Sequence, residues 1–350
     1  IEKAAVRANM AVIKERARGA ALYGVLTGDG GGAGLTELAR LIRDEGISRF
    51  AVGTVEEAQA LREAGFEDEE ILMLRATVDR EELERLVDLN VVCTISSVDT
   101  GLALNAVAEN RSTVAEAHIQ VDTGMGYGGF LSGEPDKILS MYRYLPNVAI
   151  SGIYTQMHAA AGGERGASAQ LEEFQRVVEA VHAAGFETGV IHAAGSSALM
   201  NYEFARLDAV RVASAFLGRC RRTRGDGLQK VGYGEATLEE IRWLPKGHTV
   251  GNSRLITMKK PTRVAVLPVG YQNGLGAQRP GESGLAALLR YWWGTRRQSV
   301  HIGDQRAMVI GQIGALETLV DVTELKCKPG DIAVFDLDPL YARGMKREYR

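Results

Sequence analysis

The sequence predicts an α/β protein, an N-terminal (β/α)8 TIM-type barrel followed by a C-terminal β domain. Three observations carry that expectation. Short apolar runs recur eight times in roughly the first 210 residues. Helical patterns separate them. After Thr237 the rhythm changes to strands with no long helices between them. The expected division is residues 1–236 for the barrel and 237–350 for the β domain.

The eight runs are Ala21 to Leu26, Arg49 to Val52, Ile71 to Leu74, Val91 to Ile95, Ala117 to Val121, Ile150 to Thr155, Thr188 to His192 and Ala209 to Val212. A doubly wound sheet accounts for six strands more easily than eight, so the count favours a barrel. Between the runs, helix starts are readable. Thr54 with Glu57 three residues on forms a capping box ahead of Ala58, Leu61 and Ala64, and Gly65 ends that helix. From Ala169 to Ala184, Leu171, Phe174, Val177, Val178 and Val181 lie on one stripe. In the second part, Thr262 to Val269, Ala307 to Ile310 and Asp331 to Phe335 read as strands. Gly274 to Gly284 reads as a surface loop and Leu285 to Trp293 as a short helix.

Composition excludes several classes. The 350 residues are 45% hydrophobic and 24% charged with a formal charge of −3, which leaves no basic footprint for nucleic acid or an anionic membrane. No apolar run is long enough for a membrane span. Cys93, Cys220 and Cys327 are too scattered for a disulfide framework or a zinc site and read as reduced thiols of a cytoplasmic protein. The chain begins at Ile1, so an N-terminal piece is open to question.

The stretch Val25 to Gly34 is where a βα unit places its chemistry, at the strand's C-terminal end. Its glycines admit close backbone approach or positive φ and remove side chains that could act on a ligand. A phosphate cradle is one reading, but the lysine and Ser/Thr of a P-loop are missing. Arg219, Arg221, Arg222 and Arg224 read as a solvated loop rather than an anion trap, and Trp292 and Trp293 as a dimer contact or a cap on the β domain.

Several strings resemble alanine racemases and related amino-acid racemases, the fold-type III pyridoxal phosphate (PLP) enzymes. Phe50 to Ala58 looks like the family's second strand and helix, Val121-Asp122-Thr123-Gly124-Met125-Gly126 follows strand five, Gly152 to Thr155 matches strand six, and Pro268 to Tyr271 matches the β domain. The resemblance implies PLP held by a lysine at the end of the first strand, with a tyrosine from a partner subunit as second base. Aligned on the glycines, Thr27 holds the lysine's place and Asn252 the tyrosine's. A hydroxyl forms no imine, and an amide has no basicity near neutral pH. Gln156 falls on the family's strand-six histidine, with His158 two residues on. His192, Ser196 and Arg211 match its histidine, phosphate-binding serine and ring-facing arginine, and Gly218 is kept, although Gly195 replaces an asparagine and Ala213 a glycine near the phosphate. Tyr341 matches a C-terminal tyrosine near the phosphate, with spacing a few residues off.

From these departures the sequence-based expectation is an alanine-racemase-like protein that has lost PLP-dependent racemase chemistry. It would bind or transform a small amino-acid-derived or anionic metabolite as a repurposed, PLP-independent enzyme, with no cofactor or PLP at most weakly and noncovalently held. The alternatives are a non-catalytic binding or regulatory protein, or a family enzyme using noncovalent PLP. His158, Asp29 and Tyr127 are the candidate acids and bases, with Thr27 and Asn252 at the vacated positions. For Asp29, stabilising the turn is the rival role. Arg211, Ser196, His192, Gly218, Tyr341 and Gln156 are the ligand contacts, with Arg211 the anion holder and His192 orienting it. The expected partners are a small molecule and a second copy of the chain in a head-to-tail homodimer, with the site at the interface.

Overall fold

A computed structural model describes residues 1–158, 163–220, 227–251, 256–277 and 298–350. The chain divides into two units, Glu2–Val231 and Gly232–Arg350, the second joined by Ile1. The second therefore starts five residues before the expected 237, because Tyr233–Thr237 is already a strand paired within it. The expected helix at 285–293 with Trp292 and Trp293, most of the 274–284 loop, Arg221, Arg222, Arg224 and Asn252 lie outside the described residues.

In the first unit the eight parallel strands follow the predicted runs closely: β1 (Ala21–Val25), β2 (Arg49–Val52), β3 (Glu70–Met73), β4 (Cys93–Ile95), β5 (Ala115–Asp122), β7 (Val148–Thr155), β8 (Val190–Gly195) and β9 (Ala209–Val212). A two-residue strand, β6 (Phe130–Leu131), adds to the end of β5. Each strand pairs with its neighbours around the ring from β3 through β2, β1, β9, β8, β7 and β5 to β4. A parallel bridge between Leu72 and Val92 closes the seam from β3 to β4. Strands buried on both faces must be apolar throughout, which is why they read as unbroken runs rather than alternations.

The helices bury one stripe each. In Leu35–Asp44 the stripe is Leu35, Leu38, Ala39, Leu41 and Ile42, and in Gly163–Ala183 it includes Leu171, Phe174, Val177, Val178 and Val181. Their starts are capped: Thr54 accepts from the Glu57 N–H at 3.2 Å, Asp79 from Glu82, and Ser97 from Thr100. The Glu57 side chain departs from the expected box. It accepts from the backbone N–H of Gly53 at 2.8 Å and of Asp29 at 3.2 Å, so it ties the β1 turn to the end of β2.

Two register shifts interrupt the barrel. Between β5 and β7, Ala117 pairs with Ile150 but His118 with Gly152, and between β8 and β9, His192 pairs with Ala209 but Gly195 with Arg211. Bulges of this kind bend a strand and redirect its side chains. The first is locked by Gly189, whose φ of +68° suits glycine and whose α-carbon lies against the Ser151 carbonyl.

The second unit is an antiparallel seven-stranded sheet, β10 (Tyr233–Thr237), β11 (Glu240–Leu244), β14 (Thr262–Leu267), β15 (Ser299–Ile302), β16 (Gln305–Ile310), β17 (Thr318–Asp321) and β18 (Ile332–Asp336), beside a small β12–β13 hairpin (Thr249–Val250 with Ile256–Thr257). Its core gathers Ala265, Leu267, Val300, Ala307, Val320 and Phe335. Among the described residues no helix is long and apolar enough to cross a membrane.

Two glycines separate strain from collision. At Gly189 an added Cβ would lie 2.0 Å from the Ser151 carbonyl oxygen, whereas at Gly185, φ +85°, it would meet nothing within 4 Å. Gly189→Ala is expected to cost about 2–4 kcal/mol and Gly185→Ala about 1 kcal/mol, read as denaturation midpoints. Equal losses would count against the bulge as placed.

Candidate functional site

The mouth of β1 is a tight glycine-rich turn. Gly28, Asp29 and Gly30 take φ of 67°, 57° and 66°, a left-handed turn that continues through Gly31 and Gly32. Non-glycine residues visit this region seldom, aspartate and asparagine excepted, because a short polar side chain finds a local partner. Asp29 finds one: its Oδ1 accepts from the Leu35 N–H at 2.8 Å and so caps the following helix. The Asp29 carboxylate thus serves the turn. The Thr27 methyl packs toward Gly53.

The pocket opens between the ends of β1, β3, β7, β8 and β9. It has a volume of about 260 Å³ and is lined by Val25, Leu74, Gln156, Met157, Gly195, Ser196, Ser197, Ala198, Arg211, Ala213 and Ser214. Arg211 is its one charged lining side chain, and it is buried. A guanidinium can only donate, so each neighbour must accept. One terminal nitrogen donates to His192 Nδ1 at 2.5 Å, with the His192 carbonyl at 3.4 Å, and the other donates to the Thr155 carbonyl and Gln156 Oε1, both at 2.7 Å. The Nε–H has no acceptor among the described residues. Burial brings Arg211 down to about 10, still charged at neutral pH.

At the other end, Ser196 Oγ accepts from the N–H groups of Ala213 at 2.9 Å and Ala215 at 3.2 Å. This folds the segment after β9 against the start of the Ser196–Asn201 helix, and the serine hydroxyl keeps its own hydrogen to donate. The pocket therefore pairs a cationic donor on one side with the Ser196 hydroxyl on the other. Chemically this suits an anionic ligand with a ring acceptor.

Behind Arg211 lies a buried aromatic and imidazole cluster that sequence reasoning missed, apart from His192. His192 is sandwiched by Tyr23 and Tyr154, at ring centroid distances of 5.4 and 4.9 Å, and its Nε2 meets His118 Nδ1 at 3.0 Å. Tyr23 donates to Glu70, which also pairs with Arg49 at 3.2 Å. Burial, then the Arg211 charge, pushes His192 well below the usual histidine range and brings His118 to about 3. The available signal was alternation. His118 and Gln120, and Tyr154 and Gln156, are every-second-residue neighbours, so polar residues share one face of two strands, with Tyr23 on β1 beside them.

The other expected residues scatter. Tyr127 is 87% exposed in the loop after β5 and is not among the residues that line this pocket. His158 turns toward Gly124, its Nδ1 buried without a partner in the described structure, and its backbone N–H donates to Gln170. Gly218, φ +60°, serves backbone packing, since a Cβ there would lie 1.9 Å from the Gln229 carbonyl oxygen. Tyr341 belongs to the second unit, where its backbone packs against Gly274. Asn252 lies outside the described residues.

Comparison with known proteins decides the family. Residues 1–219 match the alanine racemase N-terminal domain and residues 232–338 the alanine racemase C-terminal domain. The chain belongs to the alanine racemase family. Two relatives named alanine racemase are those of Carboxydothermus hydrogenoformans, 30% identical over 94% of this chain and 86% of that protein, and Desulfosudis oleivorans, 31% identical over 79% and 74%. Among solved structures, the alanine racemase of Streptomyces coelicolor superposes with a TM-score of 0.84 at 24% identity over 97% of this chain and 88% of that one. The enzyme from D-cycloserine-producing Streptomyces lavendulae also gives 0.84, at 22% identity over 97% and 86%. These two likenesses bear on the fold alone.

The alanine racemase matches overturn three expectations drawn from the sequence: loss of the racemase chemistry, a lean to an enzyme unlike a conventional alanine racemase, and the absence of PLP. Relatives spanning most of the chain carry the racemase name, and the family is PLP-dependent. The expectations rested on a few aligned positions, and these cannot outweigh similarity along both domains.

The buried histidines make stability depend on acid. Both bind a proton in the unfolded chain below about pH 6.5 and resist it when folded, so stability is full above that value and is lost as pH falls toward about 3. Each contributes a slope of about 1.4 kcal/mol per pH unit in that window. Urea midpoints at about pH 6.5 and 5, above the carboxylate range, should show the drop, and His118→Phe, which leaves His192 in place, should remove about half of it; an unchanged slope in the variant would refute the assignment.

Proposed function

We propose that this chain is a PLP-dependent enzyme of the alanine racemase family acting on alanine or an amino acid of similar size. The observation that carries the reading is the Arg211 Nε–H, the one guanidinium donor left without an acceptor among the described residues, on the wall of a small pocket. An unprotonated pyridine nitrogen is an acceptor that this donor suits. Relatives named alanine racemase over most of the chain supply the substrate class.

The cofactor fits the pocket at two of its ends. Arg211 would hold the ring nitrogen and, by its fixed charge, keep a proton off it. Ser196 and the backbone N–H groups around Ser197 and Ala198 would hold the phosphate. When bound, PLP supplies an electron sink for charge developing beside an amino nitrogen. Gln156 and Thr155 keep the planar guanidinium aimed, and Leu74, Val25 and Met157 would exclude water from the ring's surroundings.

The same reading makes the chain a divergent member. Thr27 stands where the resemblance places the lysine and Asn252 where it places the tyrosine, and no pocket-lining side chain in the described structure carries an amine. No step through a lysine is derived for it. A head-to-tail homodimer in the cytoplasm completes the proposal, in keeping with the family and with Cys93, whose thiol burial pushes up to about 12.

Titration with PLP, followed by absorbance and thermal stability, is expected to show saturable binding that Arg211→Leu weakens about 10–100-fold. Interconversion of L- and D-alanine with added PLP is the expected activity. No binding of PLP or of any small amino acid would overturn the proposal. Borohydride reduction followed by intact mass tests the divergence separately: a pyridoxyl group fixed to a lysine would show that Thr27 is misplaced.

A further inference from the structure

Arg211 can only donate, so His192 Nδ1, 2.5 Å away, must be a bare acceptor and the ring proton must sit on Nε2. That Nε2–H points at His118 Nδ1, 3.0 Å away, which must accept in turn and carry its own proton on Nε2. One guanidinium thus dictates two tautomers in series across the barrel.

The backbone is bent to make this possible. The β5–β7 register shift falls at His118, and it sets Gly152 opposite; a Cβ at Gly152 would lie 2.5 Å from His118 Nε2, so only glycine leaves space for the ring. The β8–β9 shift falls between His192 and the Gly195–Arg211 pair. Both bulges of the barrel lie on this one chain of contacts.

We propose that His118 is a positioning residue for the pocket: by accepting from His192 it locks that ring's tautomer and so holds Arg211 with its Nε–H facing the ligand. The groups facing the pair come from every adjoining strand: Tyr23 on β1, Arg49 on β2, Glu70 on β3, Tyr154 on β7 and Arg211 on β9. Arg49 and Arg211 oppose a second positive charge there, and Glu70 is engaged by Tyr23 and Arg49. Gln156, on the other side of Arg211, carries no titratable proton. The inference about ligand binding rests on the pocket being the cofactor's; the tautomer assignment does not.

Nitrogen-15 NMR of the histidine-labelled, unliganded full chain tests the lock directly. Both rings should be neutral with the proton on Nε2 and should not titrate between about pH 5.5 and 9. A proton on His192 Nδ1, or titration of either ring within that range, would overturn the proposal. His118→Phe removes the acceptor; PLP affinity should fall about tenfold, while His118→Gln, which keeps an acceptor, should recover most of it. Unchanged affinity in His118→Phe, or a loss that His118→Gln does not recover, would refute the positioning role. If His118→Phe does not fold, the NMR result decides alone. If PLP fails to bind the parent while the NMR pattern holds, the cofactor reading fails and the tautomer lock stands.

Discussion

A buried cation is the constraint around which the barrel end is arranged. Taking Arg211 out of water is tolerable only because acceptors meet its terminal nitrogens: a histidine nitrogen, a backbone carbonyl and an amide oxygen. Those acceptors come from the ends of β7 and β8. Where they sit decides where the two strands bend, and where they bend decides which face of the guanidinium meets the pocket.

The rest of the site follows from that fixed charge. Imidazoles beside it stay neutral, tyrosines stack on the imidazole, and the ring of polar groups is sealed at Tyr23 by Glu70 and Arg49. On the opposite wall Ser196 gathers the two N–H groups after β9, so a neutral hydroxyl rather than a charge faces that end. The contrast between a rigid cation and a neutral donor wall is what favours a ligand with an acceptor at one end and an anion at the other.

Much of this was legible in residues. Apolar runs located all eight barrel strands, since strands buried on both faces cannot be anything else, and Arg211, Ser196 and Gln156 emerged from family strings before any geometry. The second unit was harder: β10, β11, β15 and β17 are half-exposed, with polar residues diluting their patterns, and only three of its strands stood out. His118 escaped because nothing in a strand's spelling says which inward side chains will touch across a barrel. The functional expectation erred in another way, by giving Thr27 and Asn252 more weight than two whole domains of similarity.

Glu57 has a consequence for anyone who would remodel this barrel. Its carboxylate grips the backbone at Gly53 and at Asp29 together, so the segments following the first two strands behave as a single cassette. Grafting a foreign loop onto the first strand alone would leave that carboxylate holding one amide instead of two, and the transplanted piece would lose its anchor. Exchange of both segments as a unit preserves the tether and leaves the remaining six βα connections untouched.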